Sequence, residues 1–489
     1  MRIAVVGAGP SGLVTAAVLS RFGHEVTVLE KAPDLGGVWS ATRRYPDVST
    51  QDDRVSYAFS DVPMPADFPV HPTGNHVRAY LEHYADVKGI RDRVRLGTTV
   101  TRAVPSGDGW SVEVADADGP SVLDVDWVVL ANGVFSTPHV PDWPGRDVFD
   151  ATGGQVVEPT QLGDGAVFAG RDVVVVGWGK TACDVAVAAS RAARSTTVVA
   201  RAVRWKVPKR LAGPLSFRHL LLTRLGEHLM APERTTPAQR LLAAADAPLR
   251  RAALWSLAQH VARRTGLRSV GLVPTTPLPY SDSLVTDGFF EAVRAGRIAV
   301  RRERSISALG AGDVQLSDGS RLPADVVVAA TGFEQDLSLL AVSVRERLLD
   351  TDGVLALHRR VLPAAVPRLA FAGWGNTYRS PLSAEVGAVW LAGHLAGVVP
   401  APSPDDVRHE GHRFHLTHRQ AAAHREQQVP SGSFAVLDQM LDDLGLPLPA
   451  AVRRGQWTKP LTPASYAYLV PALLAKVGGA RERATVPTA

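Results

Sequence analysis

Two short apolar runs along the chain are each followed by a glycine-rich turn and then by a helical pattern. The run Ile3–Val6 leads into residues 7–12, Gly-Ala-Gly-Pro-Ser-Gly, and the run Val173–Val176 leads into residues 177–182, Gly-Trp-Gly-Lys-Thr-Ala. Glycine is needed at such a turn because the chain bends tightly and brings bare backbone to a pyrophosphate at the positive end of the helix. The pattern predicts an α/β fold with two Rossmann-like dinucleotide-binding domains.

The strand expected after each helix ends in a charge, and the two charges differ in sign. Val26–Glu30 is expected to be the first of these strands, and its terminal carboxylate can accept both hydroxyls of an adenosine ribose while repelling a 2′-phosphate. The second strand, Thr196–Ala200, is followed by Arg201 and Arg204, whose guanidinium groups suit a 2′-phosphate. We therefore expect FAD in the first cleft and NADPH in the second. The alternative is that these side chains are ordinary solvated charges at strand ends.

Length and composition favour a globular protein with more than one domain. The chain of 489 residues is longer than one hydrophobic core usually supports. Apolar residues make up 45% of it and charged residues 21%. The formal net charge of +5 comes from scattered arginine rather than from a basic block, so nucleic acid is not expected as a partner. No apolar stretch reaches about 18 residues, so no membrane contact is expected.

Cys183 is the only cysteine of the chain. A single thiol can form no intramolecular disulfide, and it cannot supply the catalytic pair that flavin disulfide reductases use. We expect Cys183 to be a small, buried packing residue. We also expect the protein to work in a reducing compartment, the cytoplasm.

Further motifs follow the first glycine turn in a fixed order. In them the chain resembles the flavin-containing monooxygenases, a branch of the two-dinucleotide flavoproteins that includes the Baeyer-Villiger enzymes. The order and spacing agree from residue 1 to roughly residue 395, and the likeness extends to the plant flavin-containing monooxygenase-like subgroup. The motifs are Gly36-Gly37-Val38-Trp39, Arg44-Tyr45-Pro46, Thr50-Gln51, the run 59–65, Ala131-Asn132-Gly133, the run 177–184, Arg204-Trp205, and Ala330-Thr331-Gly332-Phe333 with Asp336.

The resemblance implies a monooxygenase with FAD and NADPH as cofactors. NADPH delivers hydride to FAD, O2 adds at the flavin C4a carbon, and one oxygen atom passes to a small-molecule substrate. The flavin hydroperoxide persists only where water and stray protons are excluded. The cofactor carries out the difficult chemistry, while the protein supplies geometry, a hydrogen bond to the peroxide and a bound NADP⁺.

The chain divides into a split flavin-binding domain with a second domain inserted in it. Residues 1–168 and 329–395 are expected to form the FAD-binding domain, and residues 169–328 the inserted NADPH-binding domain. Within the insert, residues 211–268 show helical spacing and no strand pattern, so we expect helices that either cap the cleft or fill space. Residues 396–489 are expected to form a helical extension that covers the flavin domain or pairs with another subunit.

The motifs also indicate which residues hold the cofactors. Ser380-Pro381 has the form of a helix start, and the resemblance implies that the positive end of this helix points at the flavin pyrimidine. The expected cofactor-binding residues are Gly7, Gly9, Pro10, Ser11, Gly12, Glu30, Lys31, Gly37, Val38, Trp39, Thr50, Gln51, Asn132, Gly133, Gly177, Gly179, Lys180, Thr181, Arg201, Arg204, Thr331, Gly332 and Asp336.

Gln51 is the expected catalytic residue. By spacing it stands where flavin-containing monooxygenases generally place an asparagine and Baeyer-Villiger enzymes an aspartate. An amide can donate a hydrogen bond to a neutral hydroperoxide, but it lacks the charge that would help to hold the nucleophilic peroxide anion. We therefore expect oxygen transfer to a nucleophilic nitrogen or sulfur, with Baeyer-Villiger oxygenation of a ketone as the alternative. A role for Gln51 in loop packing alone stays open.

The linker between the domains departs from the family pattern F-x-G-x-x-x-H-x-x-x-(Y/W). Thr152 replaces the first aromatic residue, Glu158 the histidine and Leu162 the last aromatic residue, so that only Gly154 is kept. The resemblance implies that the histidine couples the domains and retains NADP⁺. Its replacement leaves open how tightly NADP⁺ is held. An uncoupled NADPH oxidase that reduces O2 to H2O2 is therefore a competing function.

Five histidines near the C-terminus form a weaker candidate site. Two of them could chelate a metal from one helical face. Because steps of three rotate around a helix and no acidic or cysteine cluster accompanies them, we expect a solvated surface helix and no metal site. The five are His409, His412, His415, His418 and His424.

Tryptophans near the ends of the motifs either line the cofactors or fill the core. The sequence does not identify the substrate, because the expected pocket is built from loops and helices that no motif constrains. The oligomeric state is equally open. The tryptophans concerned are Trp39, Trp143, Trp178, Trp205 and Trp374.

Overall fold

Both apolar runs are central strands of five-stranded parallel sheets in the computed structural model of the chain. The predicted α/β fold is therefore confirmed. The structure describes residues 1–213, 215–230, 237–278, 283–349, 355–375, 380–407, 410 and 434–485.

The strands are short, and most lie in the first two thirds of the chain. The first eleven are β1 (Arg2–Val6), β2 (Glu25–Leu29), β3 (Val94–Arg95), β4 (Thr99–Ser106), β5 (Gly109–Asp116), β6 (Gly119–Val125), β7 (Trp127–Leu130), β8 (Thr137–Pro138), β9 (Gln155–Val157), β10 (Asp172–Val176) and β11 (Ser195–Ala200). The others are β12 (Lys206–Val207), β13 (Arg210–Ala212), β14 (Leu215–Ser216), β15 (Ser283–Leu284), β16 (Ala299–Arg302), β17 (Ile306–Gly310), β18 (Asp313–Leu316), β19 (Arg321–Pro323), β20 (Val326–Ala329), β21 (Phe333–Glu334) and β22 (Leu369–Phe371).

The helices connect the parallel strands and then form the C-terminal part of the chain. They are α1 (Pro10–Arg21), α2 (Gly74–Val87), α3 (Arg146–Ala151), α4 (Lys180–Ala189), α5 (Phe217–Leu221), α6 (Arg224–Met230), α7 (Pro237–Thr265), α8 (Phe289–Arg294), α9 (Val342–Leu348), α10 (Ser380–Leu395), α11 (Phe434–Leu444), α12 (Ala450–Gly455) and α13 (Leu469–Thr485). Among the described residues, no helix has both the length and the apolar character needed to cross a membrane.

The first sheet has the strand order β22-β7-β1-β2-β3. We call this sheet and the elements packed on it the first unit. Ile3 to Val6 in β1 are buried, as expected for a parallel strand covered on both faces. Helix α1 begins directly after the glycine turn, and Glu30 follows the last residue of β2. Strand β1 pairs with β2 on one side and with β7 on the other, so the strand order reverses at β1. At such a point a crevice opens at the carboxyl ends of the two strands, here β1 and β7, and folds of this kind bind nucleotides there.

The second sheet repeats this layout with the strand order β16-β11-β10-β20-β9. We call this sheet and the elements packed on it the inserted unit. Strand β10 takes the place of β1, and β11 takes the place of β2, with Val173 opposite Thr196. The edge strand β9 comes from residues 155–157, which precede the expected domain boundary at residue 168. The crevice of the second sheet lies at the carboxyl ends of β10 and β20.

The expectation of a strand-free insertion over residues 211–268 is wrong at its start. Strands β13 and β14 pair antiparallel there, with Arg210 opposite Ser216. The pairing involves two or three residues on each side, too few to produce a visible alternation of apolar and polar positions. The described remainder of the insertion is helical and includes α5, α6 and the long helix α7.

The C-terminal extension packs on helix α10 of the first unit. Helix α11 buries Phe434, Leu437, Met440, Leu441 and Leu444 in the same hydrophobic core as α1 and α10. Arg359 binds the extension through a hydrogen bond of 2.8 Å from its Nε to Asp443. The extension thus packs on the unit that contains the first sheet, one of the two roles expected for it. The five histidines from 409 to 424 lie outside the described residues.

Candidate active site across two nucleotide clefts

One cavity of about 1520 Å³ runs along the carboxyl ends of both sheets. It is larger than the ~300–1,000 Å³ typical of a pocket for one drug-sized ligand. Every residue expected to bind a cofactor lines it except Gly12 and Thr50. The structure therefore brings together side chains from the two glycine turns, which are far apart in the sequence.

The first glycine turn is closed by contacts that exclude a side chain. Gly7 has a φ of +107°, and a Cβ atom there would lie 2.7 Å from the carbonyl oxygen of Ala131. A Cβ atom at Gly12 would lie 1.8 Å from the carbonyl oxygen of Gly7. Gly12 is thus required by the packing of α1 against the turn rather than by contact with the cavity. Thr50 also acts within the protein, because its hydroxyl donates to the Asp52 carbonyl at 2.6 Å.

Glu30 is buried at the end of β2 and faces the cavity. Its Oε2 atom accepts a hydrogen bond of 2.7 Å from the Ala8 amide in the glycine turn, and its Oε1 atom accepts one of 2.8 Å from Ala32. These bonds fix the carboxylate, and each oxygen retains a second lone pair. The arrangement can accept the two hydroxyls of a ribose.

Asn132 leaves an acceptor without a partner on the cavity wall. Its Nδ2 donates to the Asp336 carbonyl at 2.7 Å, while its buried Oδ1 has no hydrogen-bond partner among the described residues. A buried polar atom without a partner is costly and is normally satisfied by a bound group. Asn132 therefore fits a site that a polar ligand completes.

Aromatic side chains form much of the wall near the first turn. Trp39 donates from Nε1 to the Tyr57 hydroxyl at 2.8 Å, and the two rings meet edge to face at 5.6 Å between centroids. Burial raises the pKa of the Tyr57 hydroxyl, so it stays neutral. Trp143, Trp178 and Trp374 line the same cavity, which is one of the two roles considered for tryptophans near motif ends. Trp205 instead lines a smaller cavity of about 510 Å³.

The second glycine turn has the same backbone shape with more open space. Gly177 has a φ of +134°, and a Cβ atom there would lie 2.2 Å from the Ala330 carbonyl oxygen. A Cβ atom at Gly179 would meet no atom within 4 Å. Gly179 therefore leaves room for a pyrophosphate to approach the backbone at the start of α4. Arg201 and Arg204 line the cavity just beyond β11, where a 2′-phosphate would lie.

Gln51 lines the cavity with its amide in a fixed orientation. Its Oε1 atom accepts a hydrogen bond of 2.9 Å from the Leu284 amide of the inserted unit. Because a backbone N–H needs an acceptor, this bond decides which end of the side-chain amide is oxygen. The Nε2 group is left as the donor end.

Asp184 is a functional candidate that sequence reasoning missed. It lies one turn into α4, buried, and accepts from the Tyr45 hydroxyl of the first unit at 3.1 Å. Lys180 forms an ion pair with the same carboxylate. Burial, together with the charge of Asp184, holds the pKa of Tyr45 well above its usual value, so the hydroxyl remains a donor. The i,i+4 spacing of Lys180 and Asp184 was the available signal.

Glu158, which stands in place of the family histidine, is engaged within its own short turn. Its Oε1 atom accepts from the Thr160 hydroxyl at 2.9 Å, and its side chain caps the 3₁₀ helix Pro159–Gln161. Leu162 is buried in the core of the inserted unit. The linker at these positions therefore stabilises a local turn.

Helix α10 begins at the predicted Ser380-Pro381, and Pro381 lines the cavity. Glu385, one turn further on, accepts hydrogen bonds from the Ser60 amide at 2.8 Å and the Ser60 hydroxyl at 2.5 Å. Burial raises the pKa of the Glu385 carboxyl to about 7. Glu385 thus ties α10 to the loop before α2.

The chain is similar in sequence to known flavin-containing monooxygenases. The family model described as flavin-binding monooxygenase-like matches residues 1–446. A probable flavin-containing monooxygenase 1 of Arabidopsis thaliana is 24% identical, over 91% of this chain and 92% of its own. The rice indole-3-pyruvate monooxygenase YUCCA1 is 28% identical over 68% of this chain and 77% of its own. Human flavin-containing monooxygenase 1 is 24% identical, over 82% and 75%.

Solved structures agree at the level of the fold. Cyclohexanone monooxygenase in an open form aligns with a TM-score of 0.67 at 20% identity, covering 91% of this chain and 98% of that one. The S-allyl-L-cysteine S-oxygenase of Allium sativum aligns with a TM-score of 0.62 at 18% identity, covering 99% and 98%. The chain belongs to the flavin-binding monooxygenase-like family and is an oxidoreductase that uses FAD and NADPH.

Proposed function

We propose that this monooxygenase inserts one oxygen atom of O2 into a nucleophilic nitrogen or sulfur of a small-molecule substrate. The observation that carries the proposal is the orientation of Gln51. Its carbonyl oxygen is occupied by the Leu284 amide at 2.9 Å, so an uncharged N–H donor remains for the cavity. A neutral donor supports an electrophilic oxygen transfer to a heteroatom, whereas a carboxylate at the same place would favour an anionic nucleophile.

The residues of the first cleft fit FAD. Glu30 would hold the adenosine ribose, and the start of α1 at Pro10 and Ser11 would hold the pyrophosphate. The unpartnered Oδ1 of Asn132 would accept from a hydroxyl of the cofactor. When bound, FAD accepts two electrons from NADPH and activates O2.

The residues of the second cleft fit NADPH. The open space at Gly179 admits a pyrophosphate, and Arg201 and Arg204 would bind the 2′-phosphate. Trp39 and Tyr57 place aromatic rings in the cavity wall and would help to exclude water there. The protein would thus contribute orientation, apolar wall and one hydrogen-bond donor.

A second candidate function is Baeyer-Villiger oxygenation of a ketone. The observation that favours it is Asp52, which is buried, follows Gln51 directly and also lines the cavity. A carboxylate at this place can accept a proton, so it could act as a general base that keeps the attacking oxygen deprotonated and nucleophilic. Uncoupled reduction of O2 to H2O2 is the third outcome that an experiment must separate.

The test supplies three probes to the FAD-loaded protein under ¹⁸O2 with NADPH: a thioether such as thioanisole, a tertiary amine such as N,N-dimethylaniline, and cyclohexanone. We expect a sulfoxide or N-oxide carrying one ¹⁸O atom. Conversion of cyclohexanone alone to its lactone would replace the proposal with the second candidate. NADPH consumption matched by H2O2 with every probe would overturn both.

Variants at residues 51 and 52 assign the reaction to its donor. Gln51→Ala should lower the fraction of NADPH electrons that reach product about tenfold or more, because one oriented donor is lost. Gln51→Asn keeps an amide and should retain more of that coupling than Gln51→Ala does. If Asp52→Asn abolishes coupling while Gln51→Ala leaves it unchanged, Gln51 is not the donor.

A further inference from the structure

The loop from Arg44 to Asp53 of the first unit contacts the inserted unit at several points. Asp47 pairs with Arg191 at the end of α4, and Asp53 pairs with Arg218 of α5 at 3.1 Å. Gln51 accepts from Leu284, as described above. The Tyr45 hydroxyl reaches Asp184 inside α4. This loop is therefore one place where the inserted unit is held, beside the ion pair of 2.7 Å between Arg224 of α6 and Asp438 of the C-terminal extension.

The contact between Tyr45 and Asp184 ends on a buried carboxylate. Asp184 has a side-chain exposure of 4%, whereas Asp47 and Arg191 are 58% and 60% exposed and so contribute little. The Asp184 carboxylate also accepts from the Thr286 hydroxyl at 2.6 Å and pairs with Lys180. Of these three donors, only Tyr45 comes from the first unit.

The position of Asp184 gives the contact its significance. Helix α4 starts at Lys180, immediately after the second glycine turn, and Asp184 stands one turn later on the same face. Tyr45 and Lys180 both line the cavity. Fixing Asp184 from the first unit therefore fixes the turn that would hold the NADPH pyrophosphate. Hydride transfer requires donor and acceptor carbons to meet in a narrow range of geometry, and small displacements are costly.

We propose that Tyr45 is a positioning residue. Through its hydrogen bond to Asp184 it holds the second glycine turn, where NADPH would bind, in place against the first cleft, where FAD would bind. It does so in a chain whose linker carries Glu158, engaged in its own turn, in place of the family histidine. The inference rests on the proposed use of FAD in the first cleft and NADPH in the second. It assigns to one hydroxyl and one carboxylate the placement of α4 and of the glycine turn at its start.

The test compares Tyr45→Phe with two matched controls in the FAD-loaded protein. Tyr468→Phe removes a tyrosine hydroxyl that donates to the Leu446 carbonyl at 3.0 Å within the C-terminal extension. Thr286→Val removes a donor to the same Asp184 carboxylate from within the inserted unit. We measure the anaerobic rate of flavin reduction by NADPH, the rate of reduction by dithionite, and amide hydrogen exchange in peptides that cover residues 177–190.

Tyr45→Phe should slow reduction by NADPH about tenfold or more, while reduction by dithionite stays at the wild-type rate. Exchange over residues 177–190 should become about tenfold faster, because a hydrogen bond to a charged group is lost. Both controls should give smaller changes in each readout. Asp184→Ala removes the acceptor itself and should give at least the loss seen in Tyr45→Phe, and it decides the matter if Tyr45→Phe does not retain flavin.

Equal reduction rates and equal exchange in Tyr45→Phe and Tyr468→Phe would overturn the proposal. So would a larger effect from Thr286→Val than from Tyr45→Phe, because the role would then be internal to the inserted unit. If NADPH fails to reduce the wild-type protein, the proposed function falls instead. The exchange measurement still tests the contact in that case.

Discussion

The two nucleotide clefts share one backbone plan and differ in what closes it. In the first, Gly12 packs against the Gly7 carbonyl with no room for a side chain, and Glu30 is buried with two backbone donors. In the second, Ala182 occupies the place of Gly12, and Arg201 is exposed. The first glycine turn is thus more tightly packed against its helix, and the charged side chain after β11 is more exposed than the one after β2.

The difference shows how one supersecondary unit is adapted to two cofactors by a few side chains. Glu30 follows β2 in the first cleft and Arg201 follows β11 in the second. The negative charge disfavours a 2′-phosphate on the nucleotide, and the positive charge favours one. The size of the third turn residue decides how closely the helix approaches the turn. The two clefts should therefore respond differently to matching substitutions.

The largest effect is expected from Gly12→Ala. The added Cβ atom would lie 1.8 Å from the Gly7 carbonyl oxygen, so α1 would have to move away from the turn that holds FAD. We expect a loss of about 3 kcal/mol or more in the free energy of unfolding and little bound flavin. Flavin absorbance per chain and thermal unfolding measure both.

The matching change in the second cleft is Ala182→Gly. It removes a methyl group from the first turn of α4 and should cost only about 1 kcal/mol, with a full complement of FAD. If Gly12→Ala purified with wild-type flavin content, the first cleft would not be closed as described.

A change of pH should affect the first unit through Glu385. Burial raises the pKa of this carboxyl from 4.5 to about 7, against hydrogen bonds from Ser60 and in the presence of Asp61 and Lys88. The folded protein therefore holds the proton to a higher pH than the unfolded chain does. The contribution of Glu385 to the free energy of unfolding should be complete below pH 4.5. It should fall by about 3 kcal/mol as the pH rises to about 7.

Glu385→Gln should remove this part of the pH dependence, because an amide does not titrate. Denaturant unfolding at a series of pH values between these limits makes the comparison. Glu113→Gln, on β5 with a side chain 43% exposed, is the control and should leave the wild-type profile unchanged. An unchanged profile in Glu385→Gln would show that the loss of stability has another source.

A smaller effect is expected in the second cleft from Arg201→Ala. The variant should weaken the binding of NADPH about tenfold, because one charge-assisted hydrogen bond at an exposed site is lost. The binding of NADH should stay nearly unchanged. Dissociation constants from quenching of protein fluorescence give the ratio. Arg301→Ala, an exposed arginine on β16 outside the cavity wall, is the control. Equal losses for both nucleotides would remove the reason to assign a 2′-phosphate to this cleft.

The elements that the sequence predicted well are those with strong local patterns. The apolar runs before each glycine turn became the central strands β1 and β10, because a parallel strand covered on both faces needs apolar residues throughout. Residues 396–489 were expected to be helical, and α11 has apolar residues at helical spacing that form one buried face. The start of α10 followed from proline in its first turn.

The features that were missed depend on contacts between distant residues. Tyr45 and Asp184 are 139 positions apart, and no local pattern couples them. The β13–β14 hairpin is too short to show an alternation. Gly12 and Thr50 belong to the right motifs but serve internal packing. Motif spacing therefore located the cavity, while the roles of individual residues needed the fold.

The most direct test of two cooperating dinucleotide clefts is an anaerobic titration of the purified protein with NADPH, followed by visible flavin absorbance. The account predicts one FAD per chain, bleached by one equivalent of NADPH. A colourless protein that takes up no FAD, or a bound flavin that NADPH leaves oxidised, would contradict it.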